Sequence, residues 1–291
     1  MDNTRREEYI EFMQEQLSEM AKKIKNVFFK NQNKRENNIF LIFSDKNAKK
    51  YMGTVRSFDS QLGTRLQKIA MFVARKKYGE ESVPNVITLH DDGDVIKLST
   101  ISYPNSNGMS QKVYWTTKPA EDLLNKKVRK LYDKGSNAVI KKIFAVKSKE
   151  KIIKYIKEEL KKRDSKGNGI PIDLFVLKDT TDDKLLAYSY ELKAGGNLDT
   201  KNAQSNAEEV KSLNIIFSFC YRSISRFATC YDGKGDSTPD GSIGNRLARE
   251  QILIGKEFWV EILEDEVSYD EFIDIYKEAY RLAKVEEIVI G

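Results

Sequence analysis

Histidine is almost missing from this chain: its 291 residues contain one, His90. Zincin helices, histidine-ligated metal nucleases and paired-imidazole mechanisms each need at least two, and a Ser-His-Asp triad could draw only on His90. That residue stands in Thr-Leu-His-Asp-Asp-Gly-Asp, which reads as the end of a strand running into a turn, a structural or solvated position. Cysteine is nearly as scarce. Cys220 and Cys230 cannot build a disulfide framework, which fits a reducing cytoplasm, and with one histidine they leave too few ligands for a tetrahedral zinc site. Any bound metal is therefore expected on carboxylates, carbonyls and water, the donors of a hard ion such as magnesium. Long apolar runs are missing too. The longest, Leu213 to Tyr221, is broken by Asn214 and Ser218, far short of the roughly eighteen residues of a membrane helix. The charged start (Asp2, Arg5, Arg6, Glu7, Glu8) holds no apolar signal core, so the expectation is a cytoplasmic protein with no membrane partner.

What is present suits a folded α/β protein. Apolar residues make up 40% of the chain and aromatics 10%, enough to bury a core. Ile10, Met13, Leu17, Met20, Ile24 and Val27 recur at helical spacing and form one stripe, which either packs on the chain's own core or serves as a dimer seam. A polar linker is expected over 30–38, then a short apolar run from Ile39 to Phe43, so residues 1–37 read as an N-terminal helix and linker and 38–291 as a single domain. A second helix is expected from about Gln61 to Tyr78. Val86 to Leu89, Val95 to Ile101 and Val113 to Thr116 look like strands, with a turn at 104–108, and further helices are expected near 120–132 and 149–162. An acidic helix closes the chain from about Tyr269 to Lys284.

The net charge of +6 hides a strong polarity. Residues 125–163 carry fifteen Lys or Arg against four acids, whereas 256–288 carry four against eleven. The basic tract is either a solvated helix face or the electrostatic footprint of a polyanion, since Lys and Arg that neutralise phosphates release counterions.

The stretch with chemistry in it is Gly167-Asn-Gly-Ile-Pro-Ile-Asp-Leu-Phe-Val-Leu177, a polar turn, and Leu185-Leu-Ala-Tyr-Ser-Tyr-Glu-Leu-Lys-Ala-Gly-Gly196. Two apolar segments around a short polar loop predict a hairpin. Glu191 and Lys193 are two apart on the second strand and leave the same face. Asp173 starts the first strand, where pairing brings it beside Glu191. Glu159-Leu-Lys161 and Glu209-Val-Lys211 repeat the triplet, but both fall in expected helices; only Glu191-Leu-Lys193 ends a hydrophobic strand and has Pro171-Ile-Asp173 upstream.

Pro171-Ile-Asp173 with Glu191-Leu-Lys193 resembles the PD-(D/E)XK nuclease superfamily, and the surrounding sequence is similar to its type II restriction endonucleases. Ser60-Gln-Leu-Gly-Thr-Arg-Leu-Gln-Lys-Ile-Ala70 is similar to the helix such enzymes carry before their catalytic strands, and Gly255-Lys-Glu-Phe-Trp259 to a segment found in enzymes that cut GGNCC-type sites. The likeness runs from about Asn38 to Trp259. Many relatives place an extra acid on the early helix, where this chain has Gln67, with Asp59 nearby.

The resemblance implies a restriction-endonuclease-like core, one mixed central sheet flanked by helices, with an N-terminal helical extension. It implies a magnesium-dependent, site-specific endonuclease acting on double-stranded DNA as a homodimer and leaving a 5′-phosphate and a 3′-hydroxyl. Asp173, Glu191 and the backbone carbonyl of Leu192 would hold the metal; Lys193 would orient the attacking water and stabilise negative charge. A repair or recombination nuclease on the same core, or a non-catalytic nucleic-acid-binding module, are the alternatives. Downstream, a helix is expected over Asn197 to Leu213, then a buried strand from Leu213 to Tyr221. Lys201, Asn202 and Asn206 on that helix, with Arg222 and Arg226 after the strand, are candidate DNA contacts, because Asn and Arg can read base edges in pairs of hydrogen bonds. The Gly-rich stretch from Tyr231 to Arg246 is expected to be a loop and lacks the spacing of a phosphate-binding P-loop.

Overall fold

The structure is a computed structural model that describes residues 1–36, 46–91, 96–102, 111–115, 170–179, 185–195, 200–218, 222–235, 238–239 and 241–286. The chain is mixed α/β and divides into two compact units, Met1–Ala70 with Leu263–Gly291, and Met71–Ile262. The basic tract 125–163, the 104–108 turn, the 39–43 run, Cys220 and the helices expected near 120–132 and 149–162 lie outside the described residues.

The first unit is helical. Helix α1 (Asn3–Glu36) continues through most of the segment expected as a polar linker, because Lys, Gln, Arg and Glu are good helix formers even without an apolar face. Its stripe, Ile10, Met13, Leu17, Met20 and Ile24, is buried within the chain, and α1 packs on the C-terminal helix α6 (Tyr269–Leu282), whose Phe272, Ile275 and Ala279 are buried in turn. Those five positions are therefore core of this unit, which leaves them no surface for a dimer seam; the Val27 side chain lies outside the described residues. Polar contacts fix the pairing: Tyr9 donates to Glu264 at 2.8 Å and Arg5 pairs with Glu264 and Glu266. Helix α2 (Lys46–Tyr78) starts earlier than its apolar spacing predicts, and its fully buried Arg65 binds Gln16 and Glu19 of α1. Ser268 caps α6 by accepting from the Glu271 N–H, with Asp270 and Glu271 in the first turn and Arg281 in the last, all complementing the helix dipole.

The second unit holds the strands: β1 (Val86–Asp91), β2 (Ile96–Ile101), β3 (Gln111–Trp115), β4 (Ile170–Ile172), β5 (Leu174–Asp179), β6 (Leu185–Lys193), β7 (Arg222–Thr229) and β8 (Ile252–Ile254). They form two four-stranded mixed sheets, in orders β2-β1-β3-β4 and β5-β6-β7-β8, in place of the one sheet expected. The split falls at Asp173, a bend between β4 and β5. Gln111 spans it: buried in β3, it accepts from the Phe175 N–H at 2.6 Å and donates to the Phe175 and Pro84 carbonyls. One side-chain amide thus replaces the ladder partner that Phe175 would otherwise lack.

Helix α3 (Thr200–Ser218) corrects the strand expected over Leu213 to Tyr221. Its buried residues Ala203, Ala207, Val210, Leu213 and Phe217 keep helical spacing to the end, so the apolar run is helical from Leu213 to Ser218, and residues 219–221 lie outside the described residues. The strand follows as β7, which makes Arg222 its first residue and Arg226 its middle. Ala203, Ala207 and Val210 pack with Phe227, Ile252 and Ile254 on one face of the second sheet. In the Gly-rich stretch expected as a loop, the short helix α4 (Gly241–Gly244) buries Ile243. Helix α5 (Lys256–Ile262) begins at Gly255, whose φ of +53° suits glycine and whose N–H donates to the Thr229 carbonyl.

Candidate functional site

Strands β5 and β6 pair antiparallel with Leu174 opposite Tyr190. One residue further, Asp173 faces Glu191. Asp173 Oδ2 accepts from the Leu192 N–H at 2.8 Å, so the carboxylate is tied to the peptide between Glu191 and Leu192. Lys193 Nζ lies 2.5 Å from Glu191 Oε1. The predicted grouping of Asp173, Glu191 and Lys193 is present.

Packing around the end of β6 holds this grouping in place. The Cys230 N–H donates to the Lys193 carbonyl at 2.8 Å, and the Cys230 carbonyl accepts from the Trp259 indole at 2.7 Å. Tyr231 N–H donates to Ala194, and the Tyr231 ring lies where a Cβ on Gly195 would stand, 2.3 Å from the built position. A side chain at 195 would have to displace the exposed Tyr231 ring. The Gly255-to-Trp259 segment is linked to the end of β6 through Trp259, whose indole bonds the residue that donates to the Lys193 carbonyl.

Electrostatics single out the same residues. Burial, then the charge of Asp173, pushes the Glu191 carboxyl up to about 8. Asp173 is also raised, by burial first, with Lys193 and the Leu192 N–H opposing. Burial would lower Lys193, but Glu191 and Asp173 outweigh it and hold the ammonium above its ordinary value. A third acid joins them. Glu209, half-buried on α3, is raised by burial and then by Asp173, and its charge acts on Glu191 and Lys193 in return. The sequence placed Glu209 in a helix, which is correct, but gave no sign that the helix faces Asp173. Its position three residues after the buried Asn206 is the one local signal.

Burial thus raises all three carboxyls, and the ammonium of Lys193 opposes the rise at each. Carboxylate and carbonyl oxygens are the donors that a hard divalent ion takes. Among the described residues, no group of three or more His, Cys, Asp or Glu is placed to hold a metal ion, so Glu209 does not join Asp173 and Glu191 in such a group.

The other expected contacts scatter. Asn202 is exposed on the first turn of α3, where the side chain of Lys201 lies outside what is described. Asn206 is buried, its Nδ2 without a hydrogen-bond partner. Arg222 is exposed at the start of β7, while Arg226 pairs with Glu261 and sits over the Tyr188 ring on the opposite sheet face from Glu191. Gln67 and Asp59 lie on α2 in the first unit. His90 is in β1, as its turn context predicts, with its side chain outside the described residues. Cys230 is buried, and burial pushes its thiol up, away from reactivity. No described helix is long and apolar enough to cross a membrane.

No family model, curated protein or solved structure matches the chain.

Proposed function

We propose that the chain is a magnesium-dependent endonuclease of double-stranded DNA, a type II restriction enzyme with a restriction-endonuclease-like core. The observation that carries this is the convergence of Asp173, Glu191 and Lys193 at the end of the β5–β6 hairpin. Asp173, Glu191 and the Leu192 carbonyl would hold the ion, with Glu209 adding negative charge from α3. When bound, magnesium supplies charge stabilisation at the phosphoryl oxygens and a water of lowered pKa. Lys193 keeps its proton through the neutral range, so it orients the attacking water and stabilises the phosphoryl charge and is not the base that takes the water's proton. Glu191 in turn fixes the ammonium by its short hydrogen bond.

A near-palindromic target is cut most simply by a twofold dimer, so the proposal includes a homodimer whose seam is not the α1 stripe. The test is digestion of unmodified duplex DNA with magnesium, followed by sequencing of the ends. Discrete fragments with 5′-phosphates support restriction. A smear supports a repair or recombination nuclease, and intact DNA supports a non-catalytic binding module.

A further inference from the structure

Three large apolar side chains stand well exposed among the described residues: Tyr231, Val260 and Leu282. Val260 lies on α5 and Leu282 at the end of α6, whereas Tyr231 borders the Asp173 grouping with 48% of its surface open. Its backbone is fixed on both sides. The Tyr231 N–H donates to the Ala194 carbonyl at 3.0 Å, one residue beyond Lys193. The preceding residue, Cys230, is buried and bonded to both the Lys193 carbonyl and the Trp259 indole. The following residue, Asp232, lies so close to Gly255 that a Cβ there would come within 2.9 Å of its nitrogen. The ring itself takes the place that a side chain at Gly195, two residues past Lys193, would fill. It therefore rests against bare glycine backbone and leaves about half of its surface to water.

Holding an aromatic ring in water forgoes the burial that usually places it. A ring anchored on both sides loses little freedom when it meets a ligand, so the ordering cost of a contact is small. At nucleic-acid sites aromatic side chains pack on the flat faces of nucleotides, a contact that tolerates any sequence because every base offers such a face. The Lys193 side chain keeps 34% of its surface open, which gives a phosphodiester access to the grouping. A strand held there carries its next sugar and base past the two residues that follow Lys193, where the Tyr231 ring stands.

We propose that the Tyr231 ring packs against the sugar and base of the nucleotide next to the phosphodiester held at Asp173, Glu191 and Lys193, and so positions the DNA strand for cutting. This rests on the nuclease reading and adds to it a residue that grips the substrate beside the reacting bond.

The experiment compares the parent, Tyr231→Phe, Tyr231→Ala and Gly195→Ala on one unmodified duplex, by equilibrium binding in calcium and by steady-state cutting in magnesium, with folding checked by thermal melts. Tyr231→Ala should bind about tenfold more weakly and show the loss in KM more than in kcat. Tyr231→Phe should stay within about threefold of the parent, because the ring and not the hydroxyl makes the contact. Gly195→Ala, which keeps the ring but pushes it aside, should resemble Tyr231→Ala. A parent that binds the duplex without cutting it contradicts the nuclease reading, and the binding comparison alone then decides the ring contact. A folded Tyr231→Ala that binds as the parent does, a loss confined to kcat, or a folded parent with no affinity for the duplex would overturn that contact.

Discussion

In the proposed reaction, Lys193 is the residue on which the chemistry turns. Lys193→Ala should leave a folded protein that still binds DNA but cuts more than tenfold more slowly, a loss above about 1.4 kcal/mol in the barrier. Cleavage within tenfold of the parent would remove it from the mechanism. Glu191 carries a pH signature. Its folded carboxyl titrates at about 8 against an ordinary 4.5, so between those values the folded chain holds a proton that the unfolded chain has released. Stability that depends on this proton is full at low pH and is lost as pH rises through 8. With chelator present, the parent should lose on the order of a few kcal/mol between about pH 5 and 8, and Glu191→Gln should flatten that slope in denaturant melts. An unchanged slope would contradict the assignment. Asp173, Glu191 and Lys193 were legible in the sequence because strand alternation and hairpin register are local rules. Glu209 was not, because only the packing of α3 on the sheet puts its charge near Asp173. Glu209→Gln should raise the magnesium concentration needed for half-maximal cleavage, measured by titrating the metal at fixed DNA.

The β5–β6 hairpin was readable from apolar segments around a polar turn, but α3 was not. Leu213 to Tyr221 is apolar enough for a strand, and a short apolar run does not declare its period. Its register becomes clear only from the buried residues before it, Ala203, Ala207 and Val210, which extend one helical face through Leu213 to Phe217. Phe217 meets Phe175 of β5 at 4.7 Å between ring centroids, so Phe217→Ala should cost about 3–5 kcal/mol in a denaturant titration. The split into two sheets was equally hidden, since no sequence rule announces that Gln111 will stand in for a strand at Phe175. The turn into α5 is a sharper case. Gly255 combines a left-handed φ with an approach that would bring a Cβ to 2.9 Å from the Asp232 backbone nitrogen. Gly255→Ala should therefore destabilise the protein and disturb the Trp259 anchor, read as lost cooperativity and altered tryptophan fluorescence.

For the whole molecule, the first helix was legible from its stripe. What that stripe packs against was not, because a seam with another copy and a seam with α6 need the same spacing. Deleting residues 1–30 should now expose Phe272 and Ile275 and give an aggregating protein, where a dimer seam would have given a folded monomer. Sedimentation of the intact chain should show a dimer on duplex DNA; a monomer both free and bound would contradict the proposed assembly. If residues 125–163 meet the DNA backbone, binding should weaken steeply with salt, by about 0.9 in the log-log slope for each phosphate neutralised.

Metal-dependent hydrolysis of DNA by Asp173, Glu191 and Lys193 is tested most directly by following binding and cutting of one duplex with calcium, with magnesium and with chelator. Calcium satisfies carboxylate oxygens at longer and looser distances than magnesium, so it should neutralise the site without positioning the water well. The expected result is tight binding with little cutting in calcium, discrete cutting in magnesium, neither in chelator, and loss of both metal effects in Asp173→Asn. Full cutting in chelator, or undiminished magnesium-dependent cutting by Asp173→Asn, would contradict it.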